Sequence, residues 1–114
     1  MNKDIQVSIS QKVDVSILQI EGDVTAITGE SIEEAYQKVT TAGARKILLY
    51  FDKDGYINSG GIAILIGIAS ESRKNGQTVR MTGLSDHFQK ILNMVGLTKY
   101  TEIFPTEELA LKDF

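Results

Sequence analysis

Apolar residues recur at every second position early in the chain, at Ile5, Val7 and Ile9 and again at Val13, Val15 and Ile17. Leu18 and Ile20 then take the opposite parity. A period of two marks β-strands, and the short Gln11-Lys12 connection between the runs predicts a hairpin. The parity change near Ile17-Leu18 leaves two readings, a bulge or a strand buried on both faces. Glu21-Gly22-Asp23 ends this strand. The period then lengthens: Ile32, Ala35, Tyr36 and Val39 form a helical stripe. Thr28 or Ser31 can cap it, the Ser31–Glu34 spacing fits a capping box, and Ala42-Gly43 stops it. The run Ile47–Phe51 within Lys46–Phe51 suits a central strand covered on both faces.

After the turn Asp52-Lys53-Asp54-Gly55 comes Tyr56-Ile57-Asn58-Ser59-Gly60-Gly61. Periodicity alone does not decide Ile62–Lys74, which is apolar almost all round. Its length, the preceding Ser, Arg73-Lys74 in the last turn and Asn75-Gly76 as a stop favour a helix. Thr78–Thr82 reads as a strand. Gly83-Leu84-Ser85 then leads to a helix with Phe88, Ile91, Leu92 and Val95 on one face, ended by Gly96. Tyr100–Phe104 reads as a last strand, and Thr106 after Pro105 opens a terminal helix with Leu109, Ala110 and Phe114. The order ββαβαβαβα predicts one α/β domain over residues 1–114, with a mixed, mostly parallel sheet and right-handed crossovers.

Composition narrows the chemistry. The 114 residues include no Cys and one His, which excludes disulfides, thiolate catalysis and metal sites built from Cys or His clusters. A formal net charge of −3 argues against nucleic-acid binding. The N-terminal MNKDIQVSIS lacks the apolar stretch of a signal peptide, and the longest apolar run, Ile62–Ala69, falls short of the about 20 residues that span a bilayer. These features predict a soluble protein of a reducing cytoplasm, without membrane insertion and with no cofactor.

Asn58-Ser59-Gly60-Gly61, between a buried strand and a buried helix, is the least ordinary local chemistry. Ser59 is expected at the N-cap, with two glycines leaving the first-turn amides uncovered. A helix start favours negative charge, so a phosphate on Ser59, or that of a bound nucleotide, would be well placed there. The plainer reading is a capping serine beside glycines that permit close packing. Catalytic readings fit poorly: Ile57 stands where a nucleophile elbow needs its first glycine, no Lys follows Gly61 as in a P-loop, and a dinucleotide fingerprint is absent. His87 reads as a surface residue of a helix start, so a hydrolase using Ser59 has no partner base. The nearly all-apolar helix Ile62–Lys74 is either covered by neighbouring helices or partly exposed as a patch for a partner. Glu30, Glu33, Glu34, Glu102, Glu107 and Glu108 read as solvated faces, with aid in recognising a basic partner as the alternative.

Taken in order, these segments resemble a known family. Gly22-Asp23-Val24-Thr25, the capped helix to Gly43, the strand Ile47–Phe51, Ile57-Asn58-Ser59-Gly60-Gly61, Val79–Leu84 and Met94-Val95-Gly96-Leu97 are similar to the sequence of STAS domains found in bacterial anti-sigma factor antagonists. The resemblance implies helices packed mainly on one side of the sheet, and action by binding rather than catalysis. It implies an anti-sigma factor serine kinase as partner, bound when the antagonist is unphosphorylated, and a serine phosphatase that reverses the modification. It makes Ser59 the phosphoacceptor, and gives the partner surface to Asp23, Thr25, Asn58, Ser59, Gly60, Gly61 and Ile62. Two positions depart from the family pattern: Asn58 stands where an Asp precedes the serine, and Thr25 where an acidic residue is usual, with Asp23 two positions earlier. A STAS module in another assembly, such as a phosphorelay scaffold or a soluble subunit of a lipid transporter, is the alternative.

Overall fold

In the computed structural model, which describes residues 5–114, the two opening runs form β1 (Ile5–Lys12) and β2 (Val15–Gly22). The signal-peptide reading of the N-terminus rests partly on residues 1–4, which lie outside the described residues. β1 and β2 pair antiparallel up to Lys12 opposite Val15, so the turn is Val13-Asp14 and not Gln11-Lys12. Alternation misplaced it because Val13 continues the apolar parity through the turn, while its side chain is fully exposed at φ +57°. Asp14, beside it in the turn, reaches across to the neighbouring strand. Its carboxylate accepts a 2.9 Å hydrogen bond from Lys46, the first residue of the neighbouring strand, which holds it below the ordinary carboxylate range.

Of the two readings of the parity change, burial on both faces is the one that holds. Val15, Ser16, Ile17 and Leu18 are all buried, and the pairing with β1 runs without interruption. Helix α1 (Gly29–Thr41) buries its predicted stripe Ile32, Ala35, Tyr36 and Val39, and ends before Gly43 at φ +97°. Its start corrects the sequence reading. Thr28 precedes the helix but makes no side-chain cap, and Ser31 lies inside it, so the capping box does not form. Thr28 is engaged instead in the loop before the helix.

β3 (Lys46–Phe51), α2 (Ser59–Lys74), β4 (Thr78–Thr82), α3 (Asp86–Met94), β5 (Glu102–Phe104) and α4 (Glu107–Leu111) complete the predicted order. The strands lie side by side as β1-β2-β3-β4-β5, with β2 to β5 mutually parallel. The last strand is shorter than the expected Tyr100–Phe104, because a 3-10 turn over Leu97–Lys99 takes up the chain and leaves Tyr100 exposed. Phe114 lies beyond the terminal helix.

Side-chain parity assigns the two faces. Leu18, Ile20, Ile47, Leu49, Phe51, Val79 and Met81 pack with the inner faces of α1, α2 and α3. The opposite face carries a smaller core of Val15, Ile17, Leu48 and Ala110, with Phe104, Leu111 and Phe114 against it. Three helices cover one side and one short helix the other, the expected one-sided arrangement. Among the described residues no helix is long and apolar enough to cross a membrane.

Candidate functional site

Two chain segments meet at the C-terminal ends of β2 and β3. Between Gly22 and α1, the amide of Val24 donates to the carbonyl of Tyr56 at 2.7 Å and its carbonyl accepts from Asn58 at 3.1 Å, a one-residue parallel bridge opposite Ile57. Asp23 reinforces it: its carboxylate accepts the Tyr56 amide at 2.9 Å. Within the first loop, Thr25 and Thr28 exchange backbone-to-hydroxyl bonds of 2.8 and 3.1 Å, and the Thr28 hydroxyl lies 2.7 Å from the Asp23 carbonyl. Such local serine/threonine bonding competes with helix capping and explains why Thr28 does not cap α1.

The N-cap of α2 is Asn58, not Ser59. Asn58 has extended backbone, its side-chain oxygen accepts from the Gly61 amide at 2.9 Å, and its carbonyl accepts the first helical bond from Ile62. Asn is among the strongest capping residues and keeps the extended geometry that a cap requires. Ser59 therefore occupies the first helical position, exposed, with its hydroxyl free of the capping task. With Asn58 bonded to Val24 and Gly61 to Asn58, Ser59 and Gly60 hold the remaining first-turn amides.

The glycines serve packing. A Cβ on Gly60 would lie 2.8 Å from the Ala26 Cβ, and one on Gly61 would lie 2.7 Å from the Val24 carbonyl carbon. Gly61 is buried beneath the loop, so its amide is not open as the sequence reading expected. The close approach places Ala26 directly over the first turn of α2.

All seven expected site residues belong to this one corner of the fold. Asp23 and Thr25 hold the first loop, Asn58 caps the helix, Gly60 and Gly61 accept the loop, Ser59 is exposed, and Ile62 is half-buried against the main core. Of the two readings of α2, cover by neighbouring elements accounts for most of its apolar residues, since even the half-buried Ile62, Ile64 and Ile66 pack against the main core. Leu65, Ile68 and Ala69 are buried under the sheet and neighbouring helices, while Ile62, Ile64 and Ile66 are half-buried and Ala63 and Gly67 exposed. Sequence periodicity did not find two exposed residues beside Ser59. Ile27, 81% exposed, follows Ala26, and Tyr56 extends outward with its ring edge-on to Phe88 at 5.7 Å. Both lie in loops, where helix and strand periods carry no signal.

Residues 6–110 match the family model described as the STAS domain. The anti-sigma-F factor antagonist RsfB of Mycobacterium tuberculosis is 27% identical over 109 residues, covering 94% of this chain and 87% of that protein. An anti-sigma factor antagonist from Mycobacterium paratuberculosis superimposes with a TM-score of 0.75 at 20% identity, covering 94% of this chain and 91% of the other. The Bacillus cell fate determinant SpoIIAA, solved in its phosphorylated form, gives 0.66 at 16% identity over 93% and 96% of the two chains.

Proposed function

Because the chain belongs to the STAS domain family, whose model spans nearly all of it, we propose that it is an anti-sigma factor antagonist switched by phosphorylation at Ser59. On this reading it works through its surface, in a cytoplasmic setting, and the whole of residues 1–114 serves as one binding domain. The observation that carries the proposal is an exposed serine at the first position of a helix already capped by its neighbour, beside a loop pinned over that helix. The relatives named as anti-sigma factor antagonists, and SpoIIAA as a phosphoprotein, support the same reading.

The partner is an anti-sigma factor with serine-kinase activity. In the transfer, the Ser59 hydroxyl oxygen attacks the γ-phosphorus of ATP, the bond from that phosphorus to the bridging oxygen breaks, ADP leaves, and a base on the kinase takes the hydroxyl proton. A serine phosphatase hydrolyses the ester. Unmodified, Ser59, the exposed Ile27 and the half-buried Ile62 and Ile66 form a docking face with little charge at its centre. A phosphate of about −1.5 to −2 charges would be stabilised in the free protein by the Ser59 and Gly60 amides. Buried in an interface it would lose its water and repel the kinase's own nucleotide phosphates. Phosphorylation thus favours the free state.

Asn58 does not prevent this. The position before the serine acts through its side-chain oxygen as the helix cap, which Asn supplies as Asp would. The test is phosphorylation by the cognate anti-sigma kinase with ATP, followed by mapping and binding measurements. Phosphate should appear on Ser59, Ser59→Ala should bind constitutively, and Ser59→Asp should bind at least about tenfold more weakly. Phosphate elsewhere, or undiminished binding by Ser59→Asp, would refute the switch. Absence of any anti-sigma factor complex would refute the function.

A further inference from the structure

The outer edge of β1 is unpaired among the described residues, since β1 is the end strand of the sheet and bonds only to β2. At eight residues it exceeds the usual strand length of about 5–6. A free edge is a template for another strand, and proteins that stay monomeric blunt such edges with proline, inward charge, a bulge or a covering segment. This edge reads Ile-Gln-Val-Ser-Ile-Ser-Gln-Lys, without proline and with its one charge at the last residue, Lys12, which pairs with Glu107 at 3.6 Å, and its pairing with β2 contains no bulge. Ile5, Val7 and Ile9 line an open groove of about 520 Å³ with Ala35 of α1, and Ile9 is 39% exposed. Glu34 and Lys38, one helical turn apart on α1, line the same groove and give it one charge of each sign.

We propose that this edge is a homodimer interface, in which β1 of one copy pairs antiparallel with β1 of a second across a two-fold axis. An interface of this symmetry must be complementary to itself. A register centred on Ser8 sets Val7 of one copy opposite Ile9 of the other and Ile5 opposite Gln11, which keeps the apolar side chains of both copies on the α1 face. The axis that reverses the strand also reverses α1, so Glu34 of each copy meets Lys38 of the other. This self-matching pair of charges selects a second copy over an unrelated strand, for which the bare edge would suffice. Ser59 and Ile62 do not line the groove, so the dimer forms independently of the proposed switch.

Sedimentation of the full chain over a range of concentrations should show a monomer–dimer equilibrium with a Kd on the order of 10 µM. Ile9→Lys, at a position already open to solvent, should keep the circular dichroism spectrum and weaken the dimer at least about tenfold. Glu34→Lys and Lys38→Glu should each weaken self-association, and mixing these two variants should recover a heterodimer, because every charge again faces its opposite. A chain that stays monomeric up to about 1 mM, a dimer indifferent to all three substitutions, or a mixture that fails to recover association overturns the proposal.

Discussion

Val13 sits at the hairpin tip with φ +57° and a fully exposed side chain. The left-handed region costs an L-residue about 1–2 kcal/mol, and a β-branched one is rarely seen there. Gly61 presents the opposite case. Its place in a helix would favour alanine by about 1 kcal/mol on propensity, yet a Cβ there would overlap the Val24 carbonyl. The clash is with backbone, which cannot swing aside as a side chain would, so it outweighs propensity. Val13→Asn, which tolerates the left-handed region while keeping a side chain, should stabilise the protein by roughly 1 kcal/mol. Gly61→Ala should destabilise it by about 2 kcal/mol. Urea denaturation of the two variants measures both. An unchanged midpoint for Gly61→Ala would mean that the loop over α2 can lift away at no cost, and that the site is less firmly built than its hydrogen bonds indicate.

At the scale of elements, the sequence was most legible where burial imposes a period. The strands Lys46–Phe51 and Thr78–Thr82 and the stripe of α1 stand where the apolar pattern put them, because a buried face tolerates no slip of register. Element ends were harder to read, since local hydrogen bonds decide them. Thr28 was drawn away from capping by Thr25 and Asp23, and Asn58 took from Ser59 the cap role that serine could also have filled. The candidate site was legible as a motif, whereas its loop partner Ala26 and its exposed neighbours Ile27 and Tyr56 depend on contacts between segments distant in the chain. The cap assignment separates two substitutions. Asn58→Ala should cost about 1 kcal/mol, while Asn58→Asp should be neutral or slightly stabilising, since a carboxylate at a helix start gains about 0.3–1 kcal/mol. Thermal unfolding of the pair decides it; equal melting temperatures for Ala and wild type would show that Asn58 does not hold the helix end.

For the molecule as a whole, the sheet has two faces to cover, and the segment after β5, residues 105–114, covers the second with α4 and Phe114. A five-residue helix is too short to hold itself in place. Arg80, on β4, supplies the hold. Its guanidinium donates to the carbonyls of Ala110, Lys112 and Asp113 at 3.0, 2.8 and 2.9 Å, the last carbonyls of α4 and those just past it. It also lies over the rings of Phe104 and Phe114 at 4.9 and 4.4 Å. A positive charge suits the C-terminal end of a helix dipole, and bonds from a charged donor are worth about 1.5–3 kcal/mol each, though three on one group do not add. The clamp therefore links residues 110–113 to an interior strand of the parallel set, and Phe114 in turn covers the small core of Val15, Ile17 and Leu48. Arg80→Met keeps the apolar stem and removes the donors. It should lower stability by about 3 kcal/mol and speed amide hydrogen exchange in α4 far more than in α1 or α2, which pack on the other face. If exchange in α4 stayed as slow as in wild type, the apolar contacts of Ala110 and Phe114 would hold the terminus unaided, and Arg80 would be an ornament of the second face rather than its fastening. The Ser59 corner is built from the other core, so the anti-sigma factor binding proposed for it should survive in this variant wherever the chain remains folded.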